Sequence, residues 1–255
     1  MLLAIDAGNT ETKLGCFSPQ GDLLQSWRVT TESRRTGDEY GVLFAQLFAT
    51  AKLALADVER VVIASVVPKL DSALLSACER YFECTPVFFK AHRQSLMRVV
   101  TDRPGEVGSD LVAAAIGARE RYGAPLIVVS YGTATVFTAI SREGDYLGAA
   151  IAPGINISID ALVGRTAKLP QISLEAPARA IGTDTISALQ SGIIFGFVGQ
   201  TEALVARIRS ELGEDARVIA TGGLAGAIAQ HTRVIHEVNA HLSLFGLQQF
   251  ARAKS

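Results

Sequence analysis

The sequence predicts an α/β protein of two related lobes with mixed sheets. Short apolar runs alternate with longer helical stretches, the pattern of strands and helices packed in layers. A segment near the N-terminus, Leu3-Ala4-Ile5-Asp6-Ala7-Gly8-Asn9-Thr10, is echoed by Ile127-Val128-Val129-Ser130-Tyr131-Gly132-Thr133-Ala134. The echo continues from Ser18-Pro19-Gln20-Gly21-Asp22 to Ser141-Arg142-Glu143-Gly144-Asp145, with one residue gained or lost between the glycine pairs. Each copy reads as a strand, a glycine turn, a strand and a Gly-Asp hairpin turn. A chain of 255 residues has room for two modest lobes, placed at 1–117 and 118–255.

In the first lobe, Leu2 to Ile5 and Lys13 to Phe17 read as strands of a hairpin, followed by a helical stretch around Asp38 to Ala56. Arg60 to Val66 is a buried strand, Asp71 to Phe82 a helix, Pro86 to Phe89 a short strand, and Ser109 to Tyr122 an Ala-rich helix. The second lobe opens with the apolar run Leu126 to Val129 and continues with strands Val136 to Ile140 and Tyr146 to Ile151. Helices follow from Asn156 and from Thr183. A strand at Arg217 to Ala220 then enters Thr221-Gly222-Gly223, and a last helix runs from about His241 to Ala251.

Hydrophobic residues make up 49% of the chain and charged residues 19%, which is the composition of a well-packed globular protein. A formal net charge of -1 without a Lys or Arg run argues against a grip on nucleic-acid phosphates and favours small ligands or protein partners. The apolar N-terminus is interrupted by Asp6 before a signal core or membrane span develops, so a cytoplasmic protein with no membrane partner is expected. Cys16, Cys78 and Cys84 are odd in number and lack metal-ligand spacing; they read as packing residues of a reducing compartment. His231, His236 and His241 recur every five residues, which scatters them around a helix instead of aligning them as metal ligands.

Three small-residue turns carry the chemistry. Asp6-Ala7-Gly8-Asn9-Thr10 lies where a buried strand ends in a tight turn, a place where backbone N–H groups meet phosphate oxygens. Gly8 allows close approach, Asn9 and Thr10 add donors, and Asp6 is suited to holding magnesium, usually through water. A hairpin turn with a capping Asp accounts for the same residues. Gly132-Thr133-Ala134-Thr135 is the second turn, and Thr221-Gly222-Gly223, between a strand and an expected helix whose N-terminus would favour anions, is the third. Together they describe a nucleotide cleft shared by the lobes, and no Walker-type loop competes for the role.

These segments, with Ala64-Ser65-Val66-Val67-Pro68, Glu106-Val107-Gly108-Ser109-Asp110, Ala152-Pro153-Gly154, Thr166-Ala167-Lys168-Leu169-Pro170, Gly182-Thr183-Asp184-Thr185 and Leu244-Phe245-Gly246-Leu247, resemble in order the type III pantothenate kinases over almost the whole chain. The resemblance implies actin-like (ribonuclease H-like) lobes and transfer of the ATP γ-phosphoryl group to the primary hydroxyl of pantothenate, the first step of coenzyme A synthesis. It implies a metal-anchoring role for Asp6, phosphate contacts from Gly8, Asn9, Thr10 and Lys13, and ATP contacts from Gly132, Thr133, Thr221, Gly222 and Gly223. Asp110 takes the place of the proton acceptor, with Gly108, Ser109, the residue 111 position and Thr185 around the substrate. A homodimer is implied as well.

The sequence departs from that pattern at four motif positions. Leu111 replaces an Arg suited to a bidentate grip on a carboxylate. Ser130 replaces an Asp that binds a monovalent cation (potassium or ammonium), Thr138 replaces another Asp, and Val136 replaces a Thr. Two readings follow: a pantothenate kinase using ATP and magnesium, and a diverged paralogue acting as a nucleotide- or metabolite-binding regulator. A kinase for a small alcohol without the carboxylate is a third.

Overall fold

The computed structural model, which describes residues 1–164, 170, 172–213 and 215–253, divides into two compact units. The first comprises Met1–Arg121 together with His241–Ser255, and the second Tyr122–Ala240. The last helix therefore groups with the N-terminal segment, whereas the sequence reading ran the second lobe to residue 255. Most of the Thr166–Pro170 motif lies outside the described residues.

The chain runs β1 (Leu2–Ala7), β2 (Glu11–Phe17), β3 (Leu23–Thr30), α1 (Gly37–Thr50), β4 (Arg60–Ser65), α2 (Pro68–Tyr81), β5 (Val87–Phe88) and α3 (Ser109–Tyr122). It continues with β6 (Leu126–Tyr131), β7 (Ala134–Ile140), β8 (Tyr146–Pro153), α4 (Ile155–Gly164), α5 (Thr185–Leu212), β9 (Arg217–Thr221), α6 (Ala225–Ala229), β10 (Glu237–Val238) and α7 (Leu242–Ala253). The first sheet has the order β3-β2-β1-β4-β5 and the second β10-β9-β6-β7-β8. In each, the opening strand pairs antiparallel with the next strand and parallel with the strand that follows the hairpins. The two sheets are thus one topology used twice, with β1 to β5 corresponding to β6 to β10.

The sequence echo marks this duplication down to its hydrogen bonds. In the first hairpin turn the Ser18 amide donates to Asp22 O (2.9 Å), and the Gly21 amide to Ser18 O (3.0 Å). Ser141, Asp145 and Gly144 repeat the arrangement at 3.0 and 2.9 Å. Gly21 and Gly144 have φ of 102° and 83°, which side-chain-bearing residues rarely adopt. The one-residue offset lies in the preceding turn: four residues separate the paired Ala7 and Thr12, but three separate Tyr131 and Thr135.

Central strands β1 and β6 are covered on both faces and so read as near-continuous apolar runs, while the edge strand β3 mixes exposed and half-buried residues. That mixture kept β3 from registering as a strand in the sequence, and the two-residue β10 is too short to leave a periodic signal. Helix α1 starts at a capping box in which Thr36 and Glu39 satisfy each other's amides. Helix α5 starts at an Asp184–Ser187 box and ends at Gly213 in a left-handed conformation. The helix after Thr221-Gly222-Gly223 is only five residues long. The three histidines do not share a helix: His231 follows α6, His236 precedes β10 and His241 precedes α7.

In the first unit, Leu3, Ile5 and Ile63 face α1 and α2, packing on Phe44, Phe48 and Leu74. Cys16 and Cys78 are buried in this core and Cys84 is half-buried. Alternation along the strand turns Ala4 and Asp6 to the opposite face, which α7 covers. Helix α7 is tied there by Phe250 edge-on to Phe89 (5.0 Å), by Gln248 Nε2 donating to Gly21 O (2.6 Å) and by Arg60 donating to Ala251 O (2.7 Å). Its backbone touches α3 directly. A Cβ on Gly246 would fall 1.8 Å from Ala113 O, and one on Gly117 would fall 2.0 Å from Leu242 O.

Those contacts make Gly246→Ala a test of the seat. The methyl meets backbone on a rigid helix, so the variant is expected to lose roughly 2–4 kcal/mol of stability in urea unfolding. Gly226→Ala in α6, where nothing lies within 4 Å of the new methyl, should change it by less than about 1 kcal/mol.

Candidate active site

The first unit gathers acids and a lysine where β1 ends. Asp6, only 5% exposed, occupies the penultimate position of β1, and the hairpin register sets Lys13 of β2 directly opposite. Directly paired residues share a face, so Lys13 Nζ comes within 3.8 Å of Asp6 Oδ2. Ser243, in the first turn of α7, donates its hydroxyl to the same oxygen at 2.5 Å. The other oxygen, Oδ1, is buried without a hydrogen-bond partner. Beyond Asp6 the chain turns through Gly8, whose amide donates to Glu11 O (3.0 Å), and leaves Asn9 and Thr10 exposed.

Asp110 enters from the first turn of α3, half-buried, with Ser109 buried beside it and Leu111 half-buried. A methyl on Gly108 would lie 2.5 Å from Asp110 Oδ1, so a side chain there would push the carboxylate aside. Burial, and next the charge of Asp6, push the Asp110 carboxyl up to about 6; the amides of Leu111 and of Asp110 itself and the charge of Lys13 oppose the rise. A free carboxylate with a value of about 3.9 is a feeble base. Its neighbours make Asp110 a stronger one, and their influence cannot be read from residue 110 alone. His241, before α7, is driven towards its neutral form by burial and then by the Lys13 charge.

The second unit converges backbone, not charge. The Gly132 amide donates to Ala134 O (3.0 Å), closing the turn that carries the exposed Thr133. A Cβ on Gly154 would strike Thr133 O at 2.2 Å, and one on Gly222, which has φ of 96°, would strike Tyr131 O at 2.3 Å. The glycines after β6, β8 and β9 therefore meet at one end of the sheet. Thr221 is buried opposite Ser130, and Gly223 is exposed. Thr185 is exposed in the first turn of α5. Register places Ser130 opposite Val136 and Val128 opposite Thr138, so the replaced positions Ser130, Val136 and Thr138 share one face. Val136 and Thr138 are 7% and 2% exposed.

Sequence reasoning missed Ser243. Its signal is a hydroxyl held in the apolar run Leu242-Ser243-Leu244, but the run gives no hint of which strand it reaches.

The fold is shared with solved structures. The chain matches a conserved Campylobacter jejuni protein described as a Baf family transcriptional activator with a TM-score of 0.64, at 15% identity over 99% of this chain and 98% of that one. It matches the activator of 2-hydroxyisocaproyl-CoA dehydratase from Clostridium difficile, solved with ADPNP, with a TM-score of 0.54, at 13% identity over 99% and 95%. Two mixed sheets with helices place it in the fold class of actin-like ATPases and sugar kinases.

The family model for type III pantothenate kinase matches residues 2–207. The enzyme of that name from Anaeromyxobacter dehalogenans is 47% identical over 249 residues, 97% of each chain. The one from Acidobacterium capsulatum is 45% identical over 253 residues, 97% of this chain and 93% of the relative. The chain belongs to the type III pantothenate kinase family, a family of phosphotransferases. Nothing in the comparisons favours the diverged, non-catalytic reading.

The raised Asp110 has a signed consequence. The native state keeps the proton while the unfolded chain releases it, so ionisation costs stability as pH climbs from about 4 to about 6, and the full cost persists above. Asp110→Asn removes that cost. Its stability relative to wild type in urea unfolding should improve by about 1–3 kcal/mol between pH 4 and pH 8.

Proposed function

We propose that this protein transfers the γ-phosphoryl group of ATP to the primary hydroxyl of pantothenate, in the cytoplasm, with Asp110 as proton acceptor. The observation that carries the assignment is the pair Asp6 and Asp110, one acid paired with Lys13 and Ser243, the other raised by its surroundings, in a chain of this family. The substrate hydroxyl oxygen attacks the γ-phosphorus, the bond to the β–γ bridging oxygen breaks, ADP leaves, and the hydroxyl proton passes to Asp110. A group with a value near 6 is ionised at neutral pH and a better base than a free aspartate. Because the transition state is loose, orientation of the hydroxyl by Gly108, Ser109 and Asp110 contributes as much as basicity.

Asp6 Oδ1 fits a magnesium ion or one of its waters, since a buried carboxylate oxygen with no partner is otherwise costly. Magnesium, when bound, offsets phosphate charge. Gly8, Asn9, Thr10 and Lys13 are assigned to phosphate, and Gly132, Thr133, Thr221, Gly222 and Gly223 are given a similar ATP-contacting role. Thr185 is assigned to the substrate. On the face of Ser130, Val136 and Thr138 no acid remains, so potassium or ammonium is given a minor part.

Two faces of the second unit support a homodimer. Leu147, Ala149, Ile151 and Pro153 point outward along the edge strand β8 and are exposed. Gly192, Gly196 and Gly199 lie exposed on α5 with nothing within 4 Å of an added methyl, a costly choice for a helix unless another chain approaches. Sedimentation at twice the 27.0 kDa chain mass is the expected result.

The deciding experiment is turnover with ATP, magnesium and pantothenate, with and without added potassium. Phosphopantothenate should form at a rate that potassium changes little, and Asp6→Asn should weaken magnesium-dependent ATP binding measured by calorimetry. No product from wild type, or equal binding by Asp6→Asn, would contradict the assignment.

Leu111 supplies a second check. An Arg there can grip the substrate carboxylate with a charged hydrogen bond of about 1.5–3 kcal/mol, roughly ten- to a hundredfold in affinity. Leu111→Arg should lower the KM for pantothenate by such a factor with little change in kcat. An unchanged KM would mean that another group holds the carboxylate.

A further inference from the structure

We propose that Ser243 is a positioning residue for Asp6, fixing which carboxylate oxygen is offered to the magnesium-bearing phosphates. The inference rests on the ATP and magnesium roles proposed above. A serine hydroxyl has one proton, and here it goes to Asp6 Oδ2 at 2.5 Å. Lys13 Nζ faces the same oxygen at 3.8 Å. Both stabilising groups therefore lie on one side of the carboxylate, and Oδ1 is left buried and unpaired. An unpartnered buried oxygen in a native site asks for an explanation, and a ligand supplied from outside the chain is one.

The donor is held rigidly. Ser243 is 4% exposed in the first turn of α7. That turn is fixed by Leu242, whose carbonyl lies where a Cβ on Gly117 would be 2.0 Å away, and by Gly246 against Ala113. Helix α7 cannot slide along α3 without a backbone clash, so the hydroxyl keeps its place above β1. Without it, Lys13 alone addresses the carboxylate, at ion-pair distance and on a flexible stem, and the plane of the carboxylate is free to turn. A point charge neutralises without orienting, whereas a short hydrogen bond orients.

The test uses the full chain as wild type, Ser243→Ala and Ser243→Thr, with ATP binding measured by calorimetry in excess magnesium and again in EDTA, beside a thermal melt. Wild type should gain affinity from magnesium. Ser243→Ala should keep its affinity in EDTA but bind magnesium ATP about tenfold more weakly, consistent with losing a hydrogen bond to a charged group. Ser243→Thr, which retains the hydroxyl, should stay within about threefold of wild type. A Ser243→Ala protein that keeps the full magnesium gain overturns the inference and leaves the kinase assignment standing. Loss of the gain in Ser243→Thr as well, or loss of ATP affinity with and without magnesium alike, assigns the residue to packing and also overturns it. Wild type that gains nothing from magnesium removes the ATP and magnesium roles, and this inference with them.

Discussion

Burying the Asp6 carboxylate at the end of β1 carries a desolvation cost of several kcal/mol unless polar neighbours offset it. Each neighbour that does so brings an element of the first unit with it. Lys13 requires the β1–β2 register, since a slip of one residue would send its side chain to the other face. Ser243 requires α7 to cover the sheet face opposite α1 and α2, which draws the C-terminal segment of the chain back to its first strand. Asp110 brings the N-terminus of α3 close enough for the two acids to interact, and the pair settles with one of them more easily protonated. Glycines at 117 and 246 let α3 and α7 approach closely enough for both helices to reach the same strand end.

The duplicated sheet shows what the same scaffold does without that charge. Ser130 holds the place in β6 that Asp6 holds in β1, one residue before the strand's last, and its antiparallel partner is Val136 where Asp6 has Lys13. No buried acid needs neutralising there. The end of the second sheet is shaped by backbone, with Gly154 and Gly222 admitting the carbonyls of Thr133 and Tyr131. One copy offers a fixed charge and its counter-charge, the other N–H groups and hydroxyls.

Much of this was legible from residues. The apolar runs of β1 and β6 and the paired Ser-x-x-Gly-Asp turns located the two sheets, because local hydrogen bonds and alternation leave direct marks in sequence. Asp6, Gly8, Gly132 and Gly222 stood out for the same reason: turns at strand ends restrict which residues fit. Long-range packing leaves weaker marks. That α7 belongs with β1 depends on contacts across more than two hundred residues, such as Ser243 to Asp6, and helical periodicity says only that α7 has buried faces. The basicity of Asp110 likewise depends on the approach of Asp6. The histidine spacing misled because turns and a short strand interrupt the assumed helix.

The replaced motif residues divide along the same line as the two sheets. Asp6, Lys13 and Asp110 form one electrostatic unit, in which Lys13 is the cation that offsets the mutual repulsion of the two acids. Ser130, Val136 and Thr138 share a face of β6 and β7 on which no acid remains, and two of the three are almost fully buried. An Asp at 138 beside a serine at 130 would be a buried charge needing its own counter-ion, which the neutral Thr138 does not. Leu111 adjoins Asp110 but not through its charge: the acid's amide contacts come from backbone, which any side chain at 111 supplies. A chain can therefore lose the acids of the second sheet and the arginine at 111 while Asp6 and Asp110 in the first unit keep the neighbours that surround them.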